Sequence, residues 1–381
     1  MKKSIRFLGL DVHAETIAAA VAESDGEVRF LGMIPNRPEP VRRLIRKLEP
    51  VGTLRACYEA GPCGYGLYWL LAEFGVKCDV VAPTLIPVKP GDRVKTDRRD
   101  AEKLARGLRS GDLTAVWVPD PAHEALRDLV RARLAAKRDQ LRHRHRLSKF
   151  LLRHGRRAPA GTKAWTQKYL EWVRKDVRFD WGAQEAVRLD YFNEVERAGE
   201  RIVRFERAID EAVAAAPEGM QEVIAALQAL RGIAKVSAVT IVAELGQLSR
   251  FDRATQLMGY GGMVSREHSS GEKVRRGAIT KTGNAHLRRI VIEAAWSYRH
   301  RPAKGATLRK RQEGLSEEVK AIAWKAQHRL HDRYRVLLGR GKNKQQVVTA
   351  IGRELLGFIW SIGGTVERDL QDGPVRRQRA A

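Results

Sequence analysis

The sequence predicts a mixed α/β domain at the N-terminus, a helical, coiled-coil-bearing middle, and a mostly α-helical C-terminal domain. Three patterns carry this prediction. Short apolar runs alternate with helix-period segments over residues 4–108. Apolar residues recur at alternating spacings of four and three over 191–216. From residue 223 onward, helix-length apolar segments are separated by glycine-rich turns.

In the N-terminal part, Ile5 to Leu10 form a strand that runs into Asp11, and Thr16 to Ala22 form its partner after a short turn. Ser24-Asp25-Gly26-Glu27 is hairpin chemistry, and Val28 to Leu31 alternates as a returning strand should. A helix follows, with Pro40 near its start and Val41, Leu44, Ile45 and Leu48 on one face. Leu54 to Tyr58 is a fourth strand ending at Glu59, Gly64 to Phe74 is helical, and Cys78 to Ala82 is a fifth strand stopped by Pro83. Ala101 to Leu108 is a helix preceded by Asp97 and Asp100. Asp11 and Glu59 interrupt apolar strand ends, and Asp97 and Asp100 lie three apart, so on a helix they share a face. Four such carboxylates can converge on one or two divalent cations. Hard oxygen ligands suit Mg²⁺ (or Mn²⁺), and two ions can clamp the attacking and leaving oxygens of a phosphodiester. Taken singly, each acid reads equally as a solvated carboxylate or a helix cap.

Charge names the partner class. The 381 residues hold 71 Lys+Arg against 45 Asp+Glu, a net +26, while a 43% hydrophobic fraction fits a folded chain. Such a surface suits a polyanion, whose condensed counterions are released on binding. The sequence shows no apolar run near the roughly 20 residues a spanning helix needs. Met1-Lys2-Lys3 precedes only a short apolar patch, so neither a membrane nor a signal peptide is expected. Cys57, Cys63 and Cys78 are too few and too irregular for a disulfide framework or zinc site, and read as small buried hydrophobes in a reducing cytosol.

Residues 121–157 form a long basic helix. Arg131, Lys137, Arg138, Arg142, Arg144, Arg146 and Lys149 stand among Leu134, Leu141, Leu147 and Leu151, a pattern suited to a phosphate backbone but not to reading bases. Over 160–182, Trp165, Tyr169, Trp172, Phe179 and Trp181 are interleaved with cations, which fits base stacking and ordinary helix packing equally. Tyr191, Val195, Ala198, Ile202, Phe205, Ile209 and Ala212 form an a/d seam, read here as a dimer contact against the alternative of an intrachain hairpin. Leu230 to Thr240 places Gly232 between two apolar helices, the layout of a helix-hairpin-helix that holds a DNA phosphate, or of a plain packed turn.

Gly259-Tyr260-Gly261-Gly262 then leads into Ser269-Ser270-Gly271, followed by Lys273, Arg275, Arg276, Lys281, Arg288 and Arg289. A serine beside glycine and ringed by cations can serve as a nucleophile on a phosphate, although residue chemistry alone favours a surface turn. Residues 344–362 should close this domain, and 366–381 should be a disordered basic tail. The expected boundaries are therefore 1–157, 158–222, 223–365 and 366–381.

Together, Gly9-Leu10-Asp11, Tyr58-Glu59-Ala60 and Lys95 to Ala101 resemble the DEDD, RuvC-like half of the IS110 family of insertion-sequence transposases. Gly232-Ile233, Phe251, Leu257, Gly262-Met263-Val264, Ser270-Gly271 and the run from Lys281 to Arg289 are similar to its C-terminal half. Ser265 stands where many members have proline, and Met263 where leucine is usual. The resemblance implies an RNase H-like fold whose metal ligands are Asp11, Glu59, Asp97 and Asp100. It maps the family's nucleophilic serine to Ser270, with Ser269 as the fallback, and implies strand exchange through a 5′-phosphoserine link. It further implies donor and target DNA found through a structured bridge RNA, a tetramer built from dimers, and a bacterial or archaeal cytoplasmic protein associated with the nucleoid. Two rival readings remain: a hydrolytic metal-dependent junction nuclease that uses only the acids, and a non-enzymatic nucleic-acid binder. Retention of all four acids argues against the second.

Overall fold

The computed structural model describes residues 5–49, 53–87, 91, 94–271 and 273–380, with side chains to 372; Met1-Lys2-Lys3 and Ala381 lie outside them. The chain divides into two compact units, Met1–Val118 and Pro119–Ala381. The basic helix expected to trail the first domain therefore belongs to the second unit.

The first unit is a five-stranded mixed sheet of order β3-β2-β1-β4-β5. Its strands are β1 (Ile5–Val12), β2 (Thr16–Glu23), β3 (Val28–Pro35), β4 (Thr53–Glu59) and β5 (Lys77–Val81). β1 and β2 pair antiparallel, as do β2 and β3, whereas β1–β4 and β4–β5 are parallel. Helices α1 (Pro38–Leu48) and α2 (Gly66–Glu73) supply Val41, Leu44, Ile45, Leu48, Leu67 and Leu71 to a core with Leu8, Leu10, Ile17 and Tyr58. The opposite sheet face is lined by Ala18, Ala20 and Ala22, which pack on Ala101 and Ala105 of helix α3 (Asp97–Ser110).

The small residues on that face have a purpose. A Cβ at Gly9 would stand 2.3 Å from both Ala101 O and Ala105 N, so α3 rests directly on the β1 backbone. Gly9→Val is expected to lower unfolding stability by about 1–3 kcal/mol through overpacking. Denaturant unfolding checks this, and an unchanged midpoint would show that α3 does not depend on the contact.

In the second unit, α4 (Pro121–Arg153) and α6 (Gly182–Ala214) form an antiparallel hairpin. Arg133 Nε donates to Glu206 at 2.9 Å, and Arg201 meets Asp139 at 3.2 Å. The seam residues Val195, Ala198, Ile202 and Ile209 are buried within the chain. The periodicity was therefore that of an intrachain helical hairpin, because each helix supplies the apolar stripe the other needs. Between them, Tyr169 of α5 (Gln167–Lys175) is buried with Val173, Phe150 and Phe192, and Trp165, Trp172 and Phe179 pack against the same cluster. Four of the five aromatic residues thus serve packing, and Trp181 alone is largely exposed, at 74%.

The remaining helices are α7 (Glu218–Leu227), α8 (Lys235–Leu245), α9 (Ala254–Tyr260), α10 (Ala285–Ala295), α11 (Ala306–Gln312), α12 (Glu317–Gly339) and α13 (Lys344–Ala380). α13 runs through their common core, burying Val347, Val348, Ile351, Leu355, Leu356, Ile359, Ile362 and Val366. The segment from 366, expected to be disordered, continues this helix. Glu367 accepts the Leu248 and Ser249 amides at 2.7 Å each, which ties the continuation down. Against the expectation of no apolar run near spanning length, Lys344–Asp372 is long and apolar enough to span a membrane, by length and composition alone; half of its 18-residue apolar window is buried in the protein. The turn between α7 and α8 has Gly232 at φ +84°, where a Cβ would meet Ala294 O at 2.4 Å. That turn packs closely against the C-terminal end of α10.

Candidate active site: an acidic cluster and a serine hairpin

Asp11 sits at the end of β1, two residues beyond Gly9 and hence on the same sheet face, beneath the start of α3. Thr96 caps that helix, its Oγ1 accepting the Arg99 amide at 3.4 Å, so Asp97 and Asp100 fall in the first turn and not ahead of the helix as expected. Parallel pairing sets Leu10 opposite Tyr58, which brings Glu59 to the neighbouring strand end. Glu59 shares its face with Cys57, whose thiol meets Leu104 O of α3. Asp97 and Asp100 thus lie close enough to Asp11 to act on its carboxyl, while Glu59 ends the neighbouring strand on the same face and forms no ion pair or hydrogen bond with the others among the described residues.

His13 joins this corner unforeseen. Its Nε2 lies 3.4 Å from Asp11 Oδ2 and 3.5 Å from Asp97 Oδ1. The potential ligand atoms of Asp11, His13 and Asp97 lie within 4.8 Å of one another, a group that can hold a metal ion. The available sequence signal was a metal-ligating residue type just past the strand end, two positions beyond Asp11. The His13 backbone is fixed by its amide donating to Thr16 O at 2.8 Å and its carbonyl accepting Asn36 Nδ2 at 2.8 Å. Burial pushes the Asp11 carboxyl up from its ordinary value; Asp100 and Asp97 add to this, while His13 opposes it. A divalent cation would neutralise that crowding, and the mainly oxygen donor set fits one.

The second candidate group lies in the C-terminal unit. Two glycine-bearing segments interlock there: Lys281 N donates to Gly262 O at 3.0 Å, and Asn284 N to Tyr260 O at 3.0 Å. Gly262 and Gly283 have positive φ, and a Cβ on either would strike the opposing backbone within 2.2 Å. From this base rises a hairpin of β6 (Ser265–Glu267) and β7 (Arg276–Ile279), with Ser269 and Ser270 in its loop. Ser270 bridges Lys273 through two backbone hydrogen bonds of 3.2 Å. Ser269 Oγ donates to Glu267 Oε1 at 2.8 Å, whereas the exposed Ser270 hydroxyl has no partner among the described residues.

The expected nucleic-acid contacts divide by environment. Lys137, Arg138, Arg146 and Lys149 are exposed on α4, as are Lys273, Arg275, Lys281 and Arg276 around the serine loop, although Arg276 also lies 3.5 Å from Glu267. Others are engaged within the protein. Arg142 pairs with Asp139, Arg144 lies over the Trp165 ring, Arg288 donates to Gly261 O at 2.9 Å, and Arg289 pairs with Glu293 at 2.6 Å. Arg131 makes a bidentate pair with Glu244, at 2.8 and 2.9 Å.

Glu244 is fully buried, and its Oε2 also accepts Asn284 Nδ2 at 2.7 Å, which ties α4 and α8 to the cap of α10 and to the base of the serine hairpin. Burial alone would raise its carboxyl, but hydrogen bonds from Arg131 and Asn284 outweigh this and hold it below its ordinary value. The contribution is therefore complete above the ordinary glutamate range and is lost as pH falls through the depressed value. Glu244→Ala is expected to cost about 3–5 kcal/mol, since it leaves the buried Arg127 guanidinium, 3.9 Å away, without its carboxylate and removes the acceptor shared by Arg131 and Asn284. Thermal unfolding at neutral pH checks this, and a loss below 1 kcal/mol would exclude the network from the hairpin's support.

Comparison with known proteins finds family matches to both parts of the chain. A DEDD transposase family model of the IS110 group matches residues 8–155, and one described as "Transposase IS116/IS110/IS902 family" matches 224–309. Protein y4qE of Sinorhizobium fredii, whose name designates it a transposase, is 46% identical over 93% of this chain and 88% of its own length. This chain belongs to the IS110 family of transposases. The transposase for insertion sequence element IS1533 of Leptospira borgpetersenii is 31% identical over 90% of this transposase and 99% of its own length. The transposase for insertion sequence element IS1111A of Coxiella burnetii is 24% identical over 77% of the chain. In this transposase the N-terminal match contains all four acids and the C-terminal match contains Ser270. Cys57 and Cys78 are buried as expected, whereas Cys63 is exposed in the turn after β4.

Proposed function

We propose that this IS110-family transposase is an RNA-guided DNA recombinase in which Ser270 is the nucleophile and the corner of Asp11, Glu59, Asp97 and Asp100, in an RNase H-like domain, is the metal site. The observation that carries the serine assignment is the contrast within one loop: Ser269 is tied to Glu267, while the Ser270 hydroxyl is exposed and flanked by Lys273, Arg275 and Arg276. The Ser270 Oγ loses its proton as it bonds to the scissile phosphorus. The bond from phosphorus to the 3′ oxygen breaks, that oxygen takes up a proton, and a 5′-phosphoserine link remains. Attack by a different 3′-hydroxyl reverses the step, rejoining exchanged strands and restoring the serine. The flanking cations favour the alkoxide and bind the charged phosphate. Mg²⁺ or Mn²⁺ at the acids would supply Lewis-acid neutralisation of phosphodiester charge.

Donor and target DNA, a structured bridge RNA and further copies of the chain, up to a tetramer built from dimers, complete the proposal. The reaction belongs at the nucleoid of a bacterial or archaeal cytoplasm. Protein, Mg²⁺, guide RNA and nicked target DNA, digested and searched by mass spectrometry, should yield a nucleotide linked to Ser270. Cleaved DNA without an adduct would favour hydrolysis by the acids alone.

A further inference from the structure

Beyond the second family match, the chain carries basic residues that neither the acid cluster nor the serine loop uses. There α12 and α13 meet the serine hairpin around a groove of about 640 Å³. Its floor is apolar, with Met263, Ile279 and Leu337. Its charged groups are Arg276, Lys342 and Arg353, with no carboxylate among the lining residues. Lys342 and Arg353 are exposed and have no acidic partner among the described residues. Arg276 reaches Glu267 across the hairpin at 3.5 Å, three residues below Ser270, so at about 3.3 Å per strand residue it lies roughly 10 Å from the candidate nucleophile.

We propose that this groove binds the sugar-phosphate backbone of the DNA strand that presents its scissile phosphate to Ser270. Lys342 and Arg353 grip phosphates on one wall, Arg276 continues the track toward the serine, and deoxyribose rings lie on the apolar floor. DNA is the favoured occupant because β6 and β7, the strands that carry the Ser270 loop, themselves form one wall of the groove. The reach of a strand along this wall is set by the same hairpin that holds the nucleophile. The proposal rests on Ser270 acting on DNA, and it adds two positioning residues, Lys342 and Arg353, to that reading.

The test is the salt dependence of binding by the full chain with its guide RNA, measured on a DNA duplex and separately on the guide RNA. Each phosphate contact contributes about 0.9 to the slope of log affinity against log salt on duplex DNA. Lys342→Gln with Arg353→Gln should therefore flatten the DNA slope by about 2, weaken DNA binding and leave guide-RNA binding unchanged. Both side chains are exposed, so an unaltered melting temperature should accompany the change. The control Arg309→Gln with Lys310→Gln removes equal charge from exposed positions on α11 and should leave the DNA slope near that of the parent. The phosphoserine adduct should still form in the groove variant at raised DNA concentration, which separates this proposal from the identity of the nucleophile. A parental DNA slope, an equal loss in the control, or a loss confined to guide RNA would each overturn the assignment.

Discussion

Asp11→Asn should reduce recombination by roughly 10³-fold or more, the scale expected when one preorganised charge is removed from a transition-state site. The substitution keeps shape and removes charge. Because burial, Asp100 and Asp97 all act against the Asp11 carboxylate, the amide relieves a repulsion in the cation-free protein. The variant should therefore melt no lower than the parent when divalent ions are stripped away. Mg²⁺ should raise the melting temperature of the parent and do so much less in the variant. Guide-RNA binding should survive, since Asp11 contributes no positive charge. Recombination at the parental rate would remove Asp11 from the site. A lower melting point without cations would mean that its role is structural. The two readouts, turnover and cation-dependent melting, separate a ligand from a packing residue.

Much of the N-terminal unit was legible because its constraints are local. Alternating apolar residues, the Ser24-to-Glu27 turn and Pro40 near the start of α1 specify strands and helix within a few residues. The placement of Asp11 followed from the strand that carries it. What escaped was set by three-dimensional neighbours. His13 gains significance only when Thr96 starts α3 above it, bringing Asp97 to 3.5 Å. Arg131 looked like its exposed neighbours until Glu244, 113 residues away, proved to be its partner. The heptads of α6 announced a helical partner without saying whose; α4 of the same chain fills that place. The C-terminal segment read as a tail because its last residues are basic, yet Val366 and Glu367 hold it to the core. Charge and spacing identify what a segment can do, and packing decides which residues are left to do it.

Ser270→Ala should abolish both the covalent adduct and recombination, while leaving folding and DNA affinity intact. The hydroxyl is exposed and unpartnered among the described residues, so its loss should change stability by no more than about 0.5 kcal/mol. It is neutral, so the salt slope of DNA binding should match the parent. No other part of the proposed mechanism shares this combination of a dead reaction and untouched binding. Ser269→Ala provides the internal contrast. It removes the 2.8 Å hydrogen bond to Glu267 and loosens the loop, so turnover should fall modestly and the adduct should still map to Ser270. An adduct that moves to Ser269 would shift the nucleophile by one residue. DNA cleavage at the parental rate in Ser270→Ala, with free 5′ ends, would assign the chemistry to the four carboxylates acting hydrolytically and reduce the serine loop to a turn held between Lys273 and Glu267.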